Sequence, residues 1–244
     1  MPAALSVNIN KYALLRNSRG HAAPDLVKAV DVCLAAGAHG ITVHPRMDQR
    51  HILFSDVPVI AKHLREKHPG IEFNIECEND PFLIDLVCDI QPEQCTLVPV
   101  TPGEVTSDHG FSFPDDREGI EPSISKIKER GIRVSLFADC VPEAVIDFFN
   151  VGTDRIELYT GPYAWAFGTP NQPHETARVL ETAQAAADLG MLINAGHDLD
   201  RHNLKTIATI PNLVEVSIGH AQICRALEVG TTQSVQELLE AMRR

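Results

Sequence analysis

The feature that most constrains this chain is an alternation. Short apolar runs that read as strands occur at residues 4–9, 40–44, 71–77, 95–99, 132–137, 155–159, 191–195 and 213–218. Helical periodicity fills most of the intervals, at 26–37, 55–67, 80–90, 120–131, 141–151, 174–189 and 203–210; a helix starts at Ala221 and a last one spans 235–242. Strands joined through helices must run parallel, because a crossover has to carry the chain back to the starting edge of the sheet. Eight such units within 244 residues fit a closed (β/α)8 barrel, the TIM barrel, better than an open sheet. No linker and no fixed-period repeat interrupts them, so one α/β domain over residues 1–244 is expected.

Helix boundaries follow local chemistry. Asp25, Ser55-Asp56 and Asp80-Pro81 read as starts, and Gly37 and Pro69-Gly70 as stops. Residues 160–162 read as a turn, and 10–20 as the end of the first strand followed by a loop. The segment 100–119, rich in Pro, Gly, Ser, Thr and Asp, is too long for a simple connection and reads as a functional lid or a disordered loop.

The net charge of −12 argues against a nucleic-acid partner, which would need a basic face. No basic-then-apolar leader and no apolar run of membrane-spanning length is visible, so a cytoplasmic protein with no membrane partner is expected. Six cysteines occur without a CxxC pair, mostly in apolar runs, and read as reduced and buried.

In a parallel barrel, chemistry collects at the C-terminal strand ends. Those ends carry Asn8 and Asn10, His44, Glu76, Glu157, His197 and His220. One such histidine is readily structural, but five ionisable groups at separate strand tips are costly to bury without a purpose. Beyond His44 the chain turns basic, with Arg46, Arg50 and His51, as a site for an anionic substrate requires. Gly196-His197 and Gly219-His220 follow the last two strands, where barrel loops often bind phosphate through backbone N–H groups; phosphate binding is the favoured reading, and the alternative is that the glycines serve only the turns.

The same His and Glu residues could ligate a divalent ion. HxH and HExxH spacings are absent, and the neighbouring arginines disfavour a cation, so no metal is expected. GxSxG, Walker and GxGxxG motifs are absent too, which leaves serine hydrolase, P-loop and dinucleotide readings unsupported. His with Glu suits proton transfer at carbonyl carbons. Two other readings stay open: a Schiff-base phosphosugar aldolase, for which Lys11 is the only nearby lysine, and a barrel used as a scaffold, which would have no need of buried ionisable groups.

Several blocks carry a family resemblance. They are Val-Asn-Ile-Asn-Lys with Leu-Arg-Asn-Ser-Arg-Gly (7–20), Gly-Ile-Thr-Val-His-Pro-Arg with Arg-His-Ile (40–52), and Leu-Val-Pro with Glu-Val-Thr (97–106). Val-Ser-Leu-Phe (134–137), Ile-Glu-Leu-Tyr-Thr-Gly (156–161), Asn-Ala-Gly-His (194–197) and Ile-Gly-His-Ala (218–221) follow in order. Over nearly its whole length the chain resembles the pyridoxine 5′-phosphate synthase family of bacterial vitamin B6 biosynthesis. The resemblance implies a TIM barrel with extra helices, a homo-octamer and no metal or organic cofactor. It also implies a transferase-class condensation of two phosphorylated substrates, 1-deoxy-D-xylulose 5-phosphate and 3-amino-2-oxopropyl phosphate, to pyridoxine 5′-phosphate, phosphate and water.

Carried over by motif, His44 is the implied general base, His197 the proton donor and Glu76 a second acid/base. Glu157 is the implied charge-stabilising carboxylate. Asn8, Arg19, Gly219 and His220 are implied contacts of the aminoketone phosphate, and Arg46, His51 and Thr106 of the deoxyxylulose phosphate. Two departures stand out. Asn10-Lys11 occupies a deoxyxylulose-side position where many members have Asp-His, and Asp198 follows His197 where glycine is common. Arg50 receives no role and reads as a solvated loop charge.

Overall fold

The computed structural model describes residues 3–101 and 103–243; Pro102, within the expected lid, and the outermost residues of the expected domain lie outside that description. Eight parallel strands close into a barrel in chain order. They are β1 (Ala4–Asn8), β2 (Gly40–Val43), β3 (Glu72–Cys77), β4 (Gln94–Leu97), β5 (Arg133–Ala138), β6 (Arg155–Tyr159), β7 (Leu192–Gly196) and β8 (Leu213–Ile218). Around them lie α1 (Asn10–Asn17), α2 (Leu26–Ala35), α3 (Asp56–Lys67), α4 (Pro81–Ile90), α5 (Arg117–Lys128), α6 (Val145–Asn150), α7 (Gly161–Ala166), α8 (Gln172–Asp188), α9 (Leu204–Ile207), α10 (His220–Val229) and α11 (Thr231–Ala241). The expected α/β TIM barrel with additional helices is therefore the observed fold.

Strand alternation splits the barrel chemically. Ile41, Val43, Phe73, Ile75, Leu136, Ile156, Leu158 and Val216 belong to the buried apolar cluster that joins the strands to the helices. Burying each such side chain is worth about 1.5–3 kcal/mol. The intervening residues point inward and are polar. Arg155 on β6 donates to Gln94 Oε1 on β4 at 2.9 Å, across the interior and past β5. Ser6 and Thr42 hydroxyls lie 2.7 Å apart, and Thr96 Oγ1 donates to Asn74 Oδ1 at 3.2 Å. Apolar layers usually fill such barrels; here a hydrogen-bonded polar column supports the strand tips above it.

Some local expectations change. Residues 10–17 form α1 rather than strand and loop. Asn8 Oδ1 accepts from Asn10 N at 3.0 Å, turning the chain at the strand end, and Arg16 on α1 pairs with Asp56 at 2.7 Å. Asn10 consequently leaves the strand face. Residues 161–166 form α7 rather than a turn, since Pro162 is compatible with a helix start. Asp25 and Asp80 cap as expected, accepting from Val27 N at 2.9 Å and Phe82 N at 2.8 Å. Ser55 makes no cap bond; Asp56 accepts from Leu53 N instead, at 2.8 Å. Five cysteines are buried and free, while Cys224, also free, is exposed. Among the described residues no helix is long and apolar enough to cross a membrane.

Candidate active site

The C-terminal strand ends open into a cavity of about 520 Å³. It is lined by Asn8, Asn10, Lys11, His44, Arg46, Arg50, His51, Glu76, Thr106, Glu157, His197, Asp198, Gly219 and His220, among others. Barrel closure thus gathers every candidate site residue but one. Arg19 lies in an exposed turn beyond α1 and outside this cavity. Helical residues 10–17 carry the chain about 12 Å away from the tip of β1, so the expected phosphate contact of Arg19 is not part of this chain's own cavity.

His44 stands immediately after β2. Its backbone N–H donates to Asn10 Oδ1 at 2.8 Å, and its Nδ1 lies 3.6 Å from Glu76 Oε2. Burial holds its imidazole well below the usual range, helped by His51 and Arg46, so the ring is neutral at neutral pH. Its Nε2 has no hydrogen-bond partner among the described residues. A neutral imidazole with a free ring nitrogen beside a cavity is equipped to take a proton.

The two carboxyls respond to burial in the opposite sense. Glu76 is raised well above its usual value by desolvation and by the charge of Glu157, although Asn8 Nδ2 donates to it at 3.2 Å. Glu157 is raised to about 7 by desolvation. Two carboxylates cannot both ionise cheaply in one dry site, so this pair can hold and release a proton near neutrality. Gly196 permits the arrangement: a Cβ there would sit 2.4 Å from Glu157 Oε1.

His197 follows β7 with φ of 82°, and Asp198 with φ of 59°. Consecutive left-handed non-glycine residues cost on the order of 1–3 kcal/mol each, a strain typical of functional turns. Thr160 Oγ1 clamps the bend, donating to the Gly196 and His197 carbonyls at 2.6 and 2.8 Å. Asp198 Oδ2 lies 3.4 Å from His197 Nδ1 and accepts from Trp165 Nε1 at 2.7 Å. These neighbours, His197 first, hold the Asp198 carboxyl below its ordinary value. The Asp198 side chain is thereby hydrogen-bonded to Trp165 and faces the His197 ring.

The cationic rim comes from the segment after β2. His51 Nδ1 accepts from Ile52 N at 3.0 Å, so its ring proton sits on Nε2. Burial, Lys11 and Arg46 push its imidazole down to about 4, making it a neutral donor. Buried Arg46 approaches Glu104 Oε1 at 3.2 Å. Arg50 donates to the carbonyls of Glu104 and Val105 at 2.9 and 3.0 Å while paired with Asp48. Arg50 is therefore a clasp on the lid, contrary to the reading as a solvated charge. The expected lid ends at residue 116 rather than 119, since α5 starts earlier than expected. Its Thr106 Oγ1 is 2.9 Å from His197 Nε2, and Phe111 N anchors its base on Phe137 O at 3.1 Å. Glu104 and Trp165 were not singled out in the sequence, because neither lies at a strand tip.

One rim feature offers backbone donors: α10 begins after Gly219 with no side-chain cap, leaving N–H groups of its first turn available at the cavity rim. A Cβ on Gly219 would lie 2.9 Å from Asn8 O, so the close contact of this turn with β1 requires glycine. Asn10 has committed its Oδ1 to His44 N, leaving its NH2 as the group it can offer. Lys11 sits on the first turn of α1 rather than on a strand, a poor position for a Schiff-base lysine.

Fold and site together define a (β/α)8 barrel with a lidded, cationic mouth around His and Glu side chains. The chain belongs to the PdxJ family: the family model described as pyridoxal phosphate biosynthesis protein PdxJ matches residues 5–244. A pyridoxine 5′-phosphate synthase of Albidiferax ferrireducens is 47% identical over 248 residues, covering 99% of this chain and 98% of that one. One from Xanthomonas axonopodis pv. citri is 47% identical over 253 residues, covering 100% and 98%. Solved structures with the same fold include a tryptophan synthase chain of M. tuberculosis (TM-score 0.66, 14% identity, 100% and 93% covered). Another is phosphoribosyl anthranilate isomerase of Thermus thermophilus (TM-score 0.61, 10% identity, 98% of each chain covered). At such identities these two show the fold alone.

Proposed function

We propose that this chain is a pyridoxine 5′-phosphate synthase. In this reading it condenses 1-deoxy-D-xylulose 5-phosphate with 3-amino-2-oxopropyl phosphate to pyridoxine 5′-phosphate, phosphate and water. The observation that carries the reading is the conjunction, in one cavity, of neutral His44 with two carboxyls of raised affinity for protons, Glu76 and Glu157. Amine addition to a ketone, loss of water, loss of phosphate and ring closure each move protons, and each needs a positioned acid or base.

His44 takes protons, Glu76 shares them with it, and His197 returns one to a departing oxygen. Glu157 stabilises positive charge once ionised. Gly219, His220 and Asn8 receive the aminoketone phosphate at the start of α10. Arg46, His51 and Thr106 receive the deoxyxylulose phosphate, with Asn10 and Lys11 beside its hydroxyls. The lid then excludes water from the intermediates. The chain works as a single barrel domain of a cytoplasmic homo-octamer, as a transferase without metal or organic cofactor.

The test is direct. Purified protein is mixed with both phosphorylated substrates, and pyridoxine 5′-phosphate and released phosphate are measured together. Absence of product from the wild-type protein overturns the reading. His44→Ala is expected to fold and to lose about 10²–10⁴ in turnover.

A further inference from the structure

Away from the barrel mouth, one more cluster brings two imidazoles and a carboxylate together. Asp31 lies on α2 and His63 on α3, while His68 closes the C-terminal end of α3. His63 Nε2 and His68 Nε2 lie 2.6 and 2.7 Å from the same atom, Asp31 Oδ1. The two rings meet edge to face at 5.4 Å, and one ligating atom from each residue falls within a 4.8 Å group. Helical residues five apart point about 140° away from each other. His68 reaches the side of His63 because it leaves the helix, at φ −133° and ψ 54°.

We propose that Asp31, His63 and His68 form a binding site for a divalent transition-metal ion of the zinc class, which ties α2 to the end of α3. Without a cation, both rings must donate from Nε2 to the same carboxylate oxygen, Asp31 Oδ1, which crowds two donors on one acceptor. A metal ion accepts all three lone pairs at once and leaves both rings neutral. Metal–nitrogen and metal–oxygen distances of about 2.0–2.2 Å put tetrahedral ligands about 3.3 Å apart. The two imidazole–carboxylate separations, 2.6 and 2.7 Å, are shorter than that value, so each ligand atom has to move outward by less than about 1 Å to admit an ion. Two nitrogens and one oxygen suit zinc, copper or nickel rather than magnesium or calcium.

The surroundings agree. Asp31 pairs with no lysine or arginine among the described residues. The His63, His68 and Asp31 side chains are 18%, 27% and 45% exposed, which leaves room for a water as fourth ligand. None of the three lines the active-site cavity, so the ion would fasten the outer helical layer and take no part in turnover.

The experiment uses the full chain without a histidine tag, stripped with chelator and titrated with zinc chloride by calorimetry. Bound zinc is counted by elemental analysis, and cobalt substitution reports the ligand field. One equivalent per chain is expected, with a rise in Tm on zinc addition. His68→Ala and the near-isosteric Asp31→Asn should each weaken zinc at least about tenfold while turnover stays unchanged. His44→Ala should keep the zinc affinity, which separates this site from the imidazoles of the barrel mouth. Tm and circular dichroism of the metal-free variants establish that they are folded. Failure of wild-type protein to take up zinc, or undiminished uptake by folded Asp31→Asn, overturns the proposal.

Discussion

Arg46 Nη1 lies 3.2 Å from Glu104 Oε1, and both side chains are almost fully buried. A carboxylate of the lid thus occupies the arginine that is proposed to hold a substrate phosphate. Phosphate arrival would exchange one anion for another on Arg46 and free Glu104, while Arg50 keeps its hold on the lid backbone. Closure and substrate binding would then be coupled through a single guanidinium.

If this exchange operates, Glu104→Gln removes the competitor and keeps the shape. The expected result is a KM for the deoxyxylulose phosphate lowered by roughly tenfold, from loss of a charge-assisted contact worth about 1.5–3 kcal/mol that is partly retained as a neutral bond. Steady-state kinetics with the aminoketone held saturating would show it. A raised KM would mean that Glu104 serves closure more than it opposes binding.

Glu157 sets a pH dependence. Its carboxyl rises from 4.5 to about 7 on folding, so the folded protein binds its proton more tightly than the unfolded chain does. Its contribution to stability is complete below about 4.5 and is lost as pH climbs through 7. The loss is on the order of 3 kcal/mol. Glu76 and Glu215 are raised as well and act in the same direction. Neutral His44 and His51 act in the opposite sense below about pH 6.5, so the fall in Tm is expected between about pH 6.5 and 8, and Glu157→Gln should flatten part of it. A pH-independent wild-type Tm would refute the assignment.

Trp165 is the only tryptophan in the chain, and its Nε1 donates to Asp198, which faces His197. Asp198→Asn tolerates the left-handed backbone but removes the charge beside the ring. It is expected to change tryptophan emission and to lower kcat by roughly tenfold to a hundredfold, with little effect on KM. Emission that does not respond to the substitution would show that this contact does not form in solution.

Gly196→Ala would drive a methyl group to 2.4 Å from Glu157 Oε1. The carboxylate or the strand must shift, at a cost of about 1–3 kcal/mol in stability. Thermal unfolding together with kcat should both report the change. An unaffected enzyme would place Glu157 elsewhere in the working state.

By itself the sequence determined the barrel and most of its rim. Two-residue and 3.6-residue periodicities are local, so apolar alternation marks each strand and helix, and a strand places its tip residues without help from the rest of the chain. His44, Glu76, Glu157 and His197 could be read on that basis. Only the tertiary structure decided the remainder. Helix α1 has little apolar periodicity and is fastened by the Arg16–Asp56 pair, forty residues apart, so local pattern reads it as a loop; the place of Arg19, implied by the family resemblance alone, depends on that helix. The roles of Arg50, Glu104 and Trp165 rest on contacts with distant segments, which no local pattern encodes. The same holds for the neutral state of His44 and the raised carboxyls of Glu76 and Glu157. A pKa in a site like this is set by how completely the closed barrel and its neighbours remove water and bring charges together, and those quantities exist only once the chain has folded.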